Sequence, residues 1–275
     1  CPRTTDTQLA DLDGDGRTYL VVCHFGNLLG RFSWYQNTGG DQFNEHVLLN
    51  RPGAIRSYVR DFNGDGRPDI VVLMAQAWEG IWLFLNQGNG NFAETVLLQK
   101  PSSWGFTDFE LADFNHDGYI DLIAANGDNG DNAKIPPPAK PYHGIRIYLN
   151  DGRNHFTEAF FHSMNGAFKV LARDYDNDGD HDIAAISFYP DYERAPGESF
   201  LYLENISERQ REAPLRFKTY SIPESLKGRW VTADAGDVDG DGDIDLVLGS
   251  FHQGFSPVPP AIEELWKKDR VTLLM

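Results

Sequence analysis

Short apolar and β-branched runs recur along the chain, and none keeps the 3.6-residue spacing of an amphipathic helix. DIVVLM (69–74), DLIAAN (121–126), DIAAIS (182–187) and DLVLGS (245–250) are each strand-length. A short mixed segment precedes them, such as SYVR (57–60) or KVLAR (169–173). A second apolar stretch follows in IWLFLN (81–86), IRIYLN (145–150) and FLYLEN (200–205), ending in turns such as NQGNGNF (86–92). A further run, EHVLLN (45–50) or ETVLLQ (94–99), completes the unit. Four short strands per unit, separated by Gly, Asn and Asp turns, are therefore expected.

The units repeat. Asp11-LDGDGRTY, Asp61-FNGDGRPD, Asp113-FNHDGYID, Asp174-YDNDGDHD and Asp237-VDGDGDID align without gaps. A recurring four-stranded unit predicts an all-β fold, a β-propeller of four-stranded antiparallel blades. Solenoid repeats are shorter and more uniform, and sandwiches do not recur at this period. Five blades are visible, at approximately 1–50, 51–99, 100–162, 163–222 and 223–275, in one propeller domain spanning 1–275. The period exceeds the ~40–50 residues of a plain blade, so the excess is expected in inserted loops.

The chemistry of the repeated loop points to calcium. That ion takes six to eight oxygen ligands at about 2.3–2.6 Å, which a tight loop supplies from side chains at positions 1, 3, 5 and 9 and a carbonyl at position 7. The second loop offers Asp61, Asn63, Asp65, Asp69 and the carbonyl of Arg67. The third offers Asp113, Asn115, Asp117, Asp121 and the carbonyl of Tyr119. The fourth has Asp174, Asp176, Asp178, Asp182 and the carbonyl of Asp180; the fifth has Asp237, Asp239, Asp241, Asp245 and the carbonyl of Asp243. The first retains Asp11, Asp13, Asp15 and the carbonyl of Arg17, but Tyr19 replaces the ninth-position acid, so weaker binding is expected there.

Gly16, Gly66, Gly118, Gly179 and Gly242 stand at the bend. An EF-hand would need a glutamate at position 12, where this chain has Val22, Val72, Ala124, Ala185 and Leu248. Asp-Gly is also an ordinary turn pair, which accounts for one copy but not for five with the same offsets. At roughly ten times Kd each of about five structural Ca²⁺ ions would add about 1.4 kcal/mol, so chelation should destabilise the fold.

The charge of −17, from 41 acidic and 24 basic residues, disfavours nucleic acid and anionic membranes as partners. No apolar run is long enough to insert into a bilayer. Cys1 and Cys23 are too few for a disulfide framework. They are read either as a single bridge or as separate thiols, with lipidation of Cys1 a weaker alternative.

At the aspartate loops the chain resembles the FG-GAP-like, or VCBS, repeat proteins, which include the propeller of integrin α subunits. Gly53-Ala54 and Gly166-Ala167 stand where the family's Gly-Ala pair would fall, although the literal FG and GAP pairing is absent. The resemblance implies a seven-bladed ring, so the expectation is either a piece of a larger multidomain chain or a smaller ring closed another way. It also implies an extracellular, cell-surface or periplasmic setting.

In such blades the aspartate turns join first and second strands, leaving the opposite face to the other loops. Binding residues tend to occupy such loops. The candidates are Trp78, Trp104, Tyr142, His143, Tyr192, Arg194, Arg229, Trp230 and His252, a mixture suited to a glycan or a protein ligand. Packing beneath its own loop is the competing role for each. Asp128 and Asp131 are a weaker candidate for another ion, and His24, His143 and His252 for a histidine cluster. No catalytic elbow, zinc-protease motif or phosphate loop occurs. The leading expectation is a calcium-stabilised, non-catalytic binding or adhesion propeller; the alternative is a carbohydrate-active enzyme resembling a polysaccharide lyase.

Overall fold

The computed structural model describes residues 2–76, 78–130, 139–208, 213–251, 257–268 and 272–274. They form two compact units, Cys1–Phe106 and Thr107–Met275.

The first unit contains two four-stranded antiparallel sheets of propeller-blade type. One runs β1 (Arg3–Ala10), β2 (Tyr19–Phe25), β3 (Arg31–Gly39) and β4 (Gln42–Leu49), each strand beside the next. The other repeats that order with β5 (Ala54–Arg60), β6 (Asp69–Met74), β7 (Trp78–Gly88) and β8 (Asn91–Pro101). Their core gathers Leu12, Val21, Phe32, Trp34, Val72 and Phe84.

The second unit holds three sheets. The first comprises β9 (Phe106–Ala112), β10 (Asp121–Asn126), β11 (Gly144–Asn150) and β12 (Phe156–Ser163). Next come β13 (Ala167–Arg173), β14 (Asp182–Ser187), β15 (Phe200–Asn205) and β16 (Phe217–Tyr220). Three strands, β17 (Trp230–Gly236), β18 (Asp245–Ser250) and β19 (Thr272–Leu274), make the last among the described residues.

Strand position explains the hydrophobic pattern. Every residue of β6, β10 and β14 is buried, so these second strands read as unbroken apolar runs. The fourth strands β4 and β12 are largely exposed and alternate or turn polar. No described helix is long and apolar enough to cross a membrane.

One correction follows from packing. The apolar spacing predicts no helix, yet Pro260–Lys268 form helix α1. A proline opens it, and Ile262 and Trp266, one turn apart, bury against Tyr192 and Leu226. One apolar pair in a single short helix gives too little periodicity to read. Both Gly-Ala pairs lead into the first strand of their sheets, which begin at Ala54 and Ala167. The carbonyls of Gly53 (φ 109°) and Gly166 (φ 68°) accept Ala75 N at 2.8 Å and Phe188 N at 3.0 Å. A side chain at Gly166 would stand 2.6 Å from the Tyr189 backbone nitrogen, so glycine is required there.

Candidate metal sites and the opposing loops

Each aspartate loop joins the first strand of a sheet to the second, and its first-position carboxylate organises it. Asp61 Oδ1 accepts Gly64 N at 2.8 Å and Asp65 N at 3.1 Å, while Oδ2 accepts Gly66 N at 2.8 Å. Asp11 repeats this with Gly14, Asp15 and Gly16. Asp113, Asp174 and Asp237 likewise accept the amides of Gly118, Gly179 and Gly242. The chain bends at two left-handed residues per loop. Position 6 is always glycine, whereas position 4 is Gly14, Gly64 or Gly240 but also His116 (φ 55°) and Asn177 (φ 58°). Sequence alone identifies only the sixth-position bend.

The ninth-position carboxylates do a second job. Asp69 Oδ2 accepts Phe62 N at 2.9 Å and its Oδ1 accepts Asn86 N at 2.7 Å. Asp121 takes Phe114 N and Asn150 N at 2.9 and 2.8 Å, and Asp182 takes Tyr175 N and Asn205 N at 3.3 and 2.7 Å. Each therefore ties the start of its loop to the end of the third strand. The asparagine side chain returns the contact, Asn150 Nδ2 to Ile120 O at 3.1 Å and Asn205 Nδ2 to His181 O at 3.3 Å. These asparagines escape a reading of the sequence, although their recurrence at the end of IWLFLN, IRIYLN and FLYLEN is the available signal. Burial raises the Asp69 and Asp182 carboxyls and pushes Asp121 up to about 7. Desolvation opposes the charge at all three.

The donor set fits a hard cation. Carboxylate oxygens of Asp11, Asp13 and Asp15 lie within 4.8 Å of one another, as do those of Asp174, Asp176 and Asp178 and of Asp237, Asp239 and Asp245. Ligands on opposite sides of one Ca²⁺ stand roughly 5 Å apart, so each trio fits around a single ion. Loops two and three place Asn63 and Asn115 at the third position, where the amides reach Asp65 and Asp117 at 3.2 and 3.1 Å. All these donors are oxygen, which favours calcium-type over zinc-type ions.

Other side chains compete for the same oxygens. Arg17 and Arg67, whose carbonyls stand at position 7, turn their guanidiniums onto Asp15 at 2.7 Å and Asp65 at 2.5 Å. In the first loop the Tyr19 hydroxyl donates to Asp13 Oδ2. In the third, Asp117 Oδ1 accepts the Tyr119 amide at 2.9 Å. The carboxylates at Asp180 and Asp243 are seventh-position side chains, and Asp243 Oδ1 accepts Asn177 Nδ2 at 2.9 Å, joining the fourth loop to the fifth. Asp178 and Asp241 accept the amides of Asp180 and Asp243 in the same way.

The opposing-loop candidates separate by burial. Trp230 is core, with Nε1 bonded to Ser225 O at 2.9 Å. Arg229 is buried over the rings of Phe188 and Trp266 at 5.7 and 5.8 Å. Tyr192 packs on Trp266, its hydroxyl buried and without a hydrogen-bond partner among the described residues, and His143 is fully buried. These four are buried rather than presented to solvent, and Tyr192 and Arg229 pack against Trp266 of α1. Trp104 and Tyr142 are half-buried and carry Lys100 and Lys140 at 4.6 and 5.9 Å from their rings. Arg194 is exposed, 4.0 Å from Asp191.

The Trp78 side chain, His252, Asp131 and Cys1 lie outside the described residues. The histidine cluster therefore reduces to His24 in the first unit, 2.8 Å from the Tyr35 hydroxyl, and His143 in the second. Asp128 Oδ1 accepts Gly130 N at 2.6 Å. Cys23 is buried and, among the described residues, unbridged, and burial pushes its thiol up to about 12.

The first three aspartate loops fall within segments similar to a known repeat. The model of the FG-GAP-like repeat matches residues 11–72 and 61–124. Mouse Cartilage acidic protein 1 is 28% identical over 173 residues, covering 61% of this chain. The chain spans 24% of the length of that relative. Among solved structures, the V. cholerae biofilm matrix protein Bap1 aligns at 19% identity and TM-score 0.48, over 90% of this chain and 35% of that one. The Bombyx mori GH32 β-fructofuranosidase BmSUC1 aligns at 12% identity and TM-score 0.42, over 90% and 63% respectively.

Proposed function

We propose, on the match of residues 11–72 and 61–124 to the FG-GAP-like repeat, that this chain is a calcium-stabilised extracellular binding or adhesion module without catalytic activity of its own. It recognises a glycan or protein through the loops opposite the aspartate turns. The observation that carries this reading is the convergence of carboxylate oxygens in loops one, four and five, at the first-to-second-strand turns and away from the remaining loops.

Calcium bound there supplies charge neutralisation and turn closure. The chain's own residues hold the loop in register: the first-position aspartates fix the bend, and Asp69, Asp121 and Asp182 anchor it to the third strand. Extracellular modules of this ligand type bind at about 10⁻⁴–10⁻³ M, which suits a setting outside the cytoplasm. Repeated rigid blades leave the opposing loops to vary, the usual arrangement of a recognition surface.

Glycan and protein arrays probed with the full chain in calcium and in EGTA, followed by a product assay on any bound polysaccharide, test the reading. Calcium-dependent binding without turnover is the expected result. Turnover of a bound polysaccharide, or no binding to any glycan or protein, would overturn it.

A further inference from the structure

Two asparagines join neighbouring aspartate loops. In the first unit the Asn86 main chain donates to Asp69 Oδ1, the ninth-position carboxylate of loop two, at 2.7 Å. Its side-chain amide crosses to the adjacent sheet and donates to Leu12 O in loop one, also at 2.7 Å. Asn86 is 0% and Leu12 1% exposed, so water does not compete for this bond. In the second unit Asn177 Nδ2 reaches from loop four to Asp243 Oδ1 in loop five at 2.9 Å.

Each join ends on a residue flanked by two candidate ligands. Leu12 lies between Asp11 and Asp13, and Asn177 between Asp176 and Asp178. Each also starts from a residue that closure of the partner loop would fix. Asp69 is the ninth-position acid of loop two. Asp243 offers its carbonyl at position seven of loop five, and its amide donates to Asp241 Oδ1, the fifth-position acid, at 2.9 Å. A continuous path of bonds therefore runs from the oxygens of one loop to the backbone between the oxygens of the next.

We propose that Asn86 and Asn177 couple calcium binding in neighbouring loops, one with two and four with five, so that filling either loop of a pair tightens the other. The proposal rests on the calcium reading above and adds that the loops are not independent. Ordering sets the sign. An empty loop must be immobilised to gather its oxygens, and a neighbour already closed on an ion holds one of its residues in place, which lowers that ordering cost. Charge acts in the opposite direction, since an ion in one loop weakens the negative field that draws a second. The carboxylates of loops four and five are mostly exposed, and salt screens exposed charges beyond about 8 Å at physiological ionic strength, whereas the hydrogen bonds act directly.

Calcium titration of the full chain at physiological salt, followed through the amide resonances of Gly16, Gly66, Gly179 and Gly242, tests this. Each amide donates to the first-position aspartate of its own loop and so reports that loop. Asp239→Ala disables loop five while leaving Asn177 and Asp243 in place. It should raise the Gly179 midpoint about threefold, the size of one exposed hydrogen bond, and leave Gly16 unmoved. In the Asn177→Gly background, which keeps the bend with the residue that Gly14, Gly64 and Gly240 supply in other loops, the same substitution should no longer move Gly179. In the first unit Asp65→Ala should raise the Gly16 midpoint by at least as much, with Gly179 unmoved. A Gly179 or Gly16 midpoint that ignores the neighbouring loop, an Asp239→Ala effect that survives Asn177→Gly, or a Gly16 shift accompanying that of Gly179 would overturn the coupling while leaving the calcium sites standing. Glycine amides that do not respond to calcium at all would defeat both.

Discussion

The Tyr19 hydroxyl donates to Asp13 Oδ2 at 2.7 Å and reaches Asp15 Oδ2 at 3.1 Å, so in the first loop a phenol stands where the other loops place a buried carboxylate. Burial, and then the bond to Asp13, push the Tyr19 phenol up to about 12, which keeps it a neutral donor. A donor aimed at the carboxylates contributes no charge to a cation and occupies two of its ligand oxygens. Asp11→Ala should therefore lower calcium stoichiometry less than Asp65→Ala does. Isothermal titration of both variants checks the ranking, and equal losses would contradict it.

The ninth-position acid should matter even without metal. Asp121→Ala leaves the Phe114 and Asn150 amides without their acceptor, at a cost of roughly 2–4 kcal/mol. Chemical denaturation in EGTA isolates this term from metal binding. Asp117→Ala, at the loop tip, should cost less than half as much under the same conditions.

Glycines of one backbone class should separate by their surroundings. Gly118 has φ 86° with open space where a methyl would stand, whereas at Gly166 a methyl would meet the Tyr189 backbone. Gly118→Ala should cost about 1–2 kcal/mol from backbone strain alone. Gly166→Ala adds a steric clash and should cost visibly more in the same denaturation series; equal costs would show that the Tyr189 contact relaxes freely.

The strands and the aspartate turns are readable because both signals repeat: an apolar run buried on all sides leaves the same trace in β6, β10 and β14, and five loops share their offsets. Asn86, Asn150 and Asn205 are harder, since an asparagine at a strand end also reads as an ordinary turn residue. Their role depends on a backbone amide meeting an aspartate 17 to 29 residues earlier. Tyr192, Arg229 and Trp230 look like binding residues in sequence because they sit in polar loop segments. Burial removes them from solvent, and only tertiary packing carries that information.

Calcium dependence of thermal stability tests the central claim most directly. Loops of this affinity, each contributing about 1.4 kcal/mol at ten times Kd, should together raise the melting temperature of the full chain by on the order of 10 °C over EGTA. Magnesium at the same concentration should do less, since its preference for octahedral geometry and retained water suits these loops poorly. Superimposable melting curves in calcium and in EGTA would contradict the account.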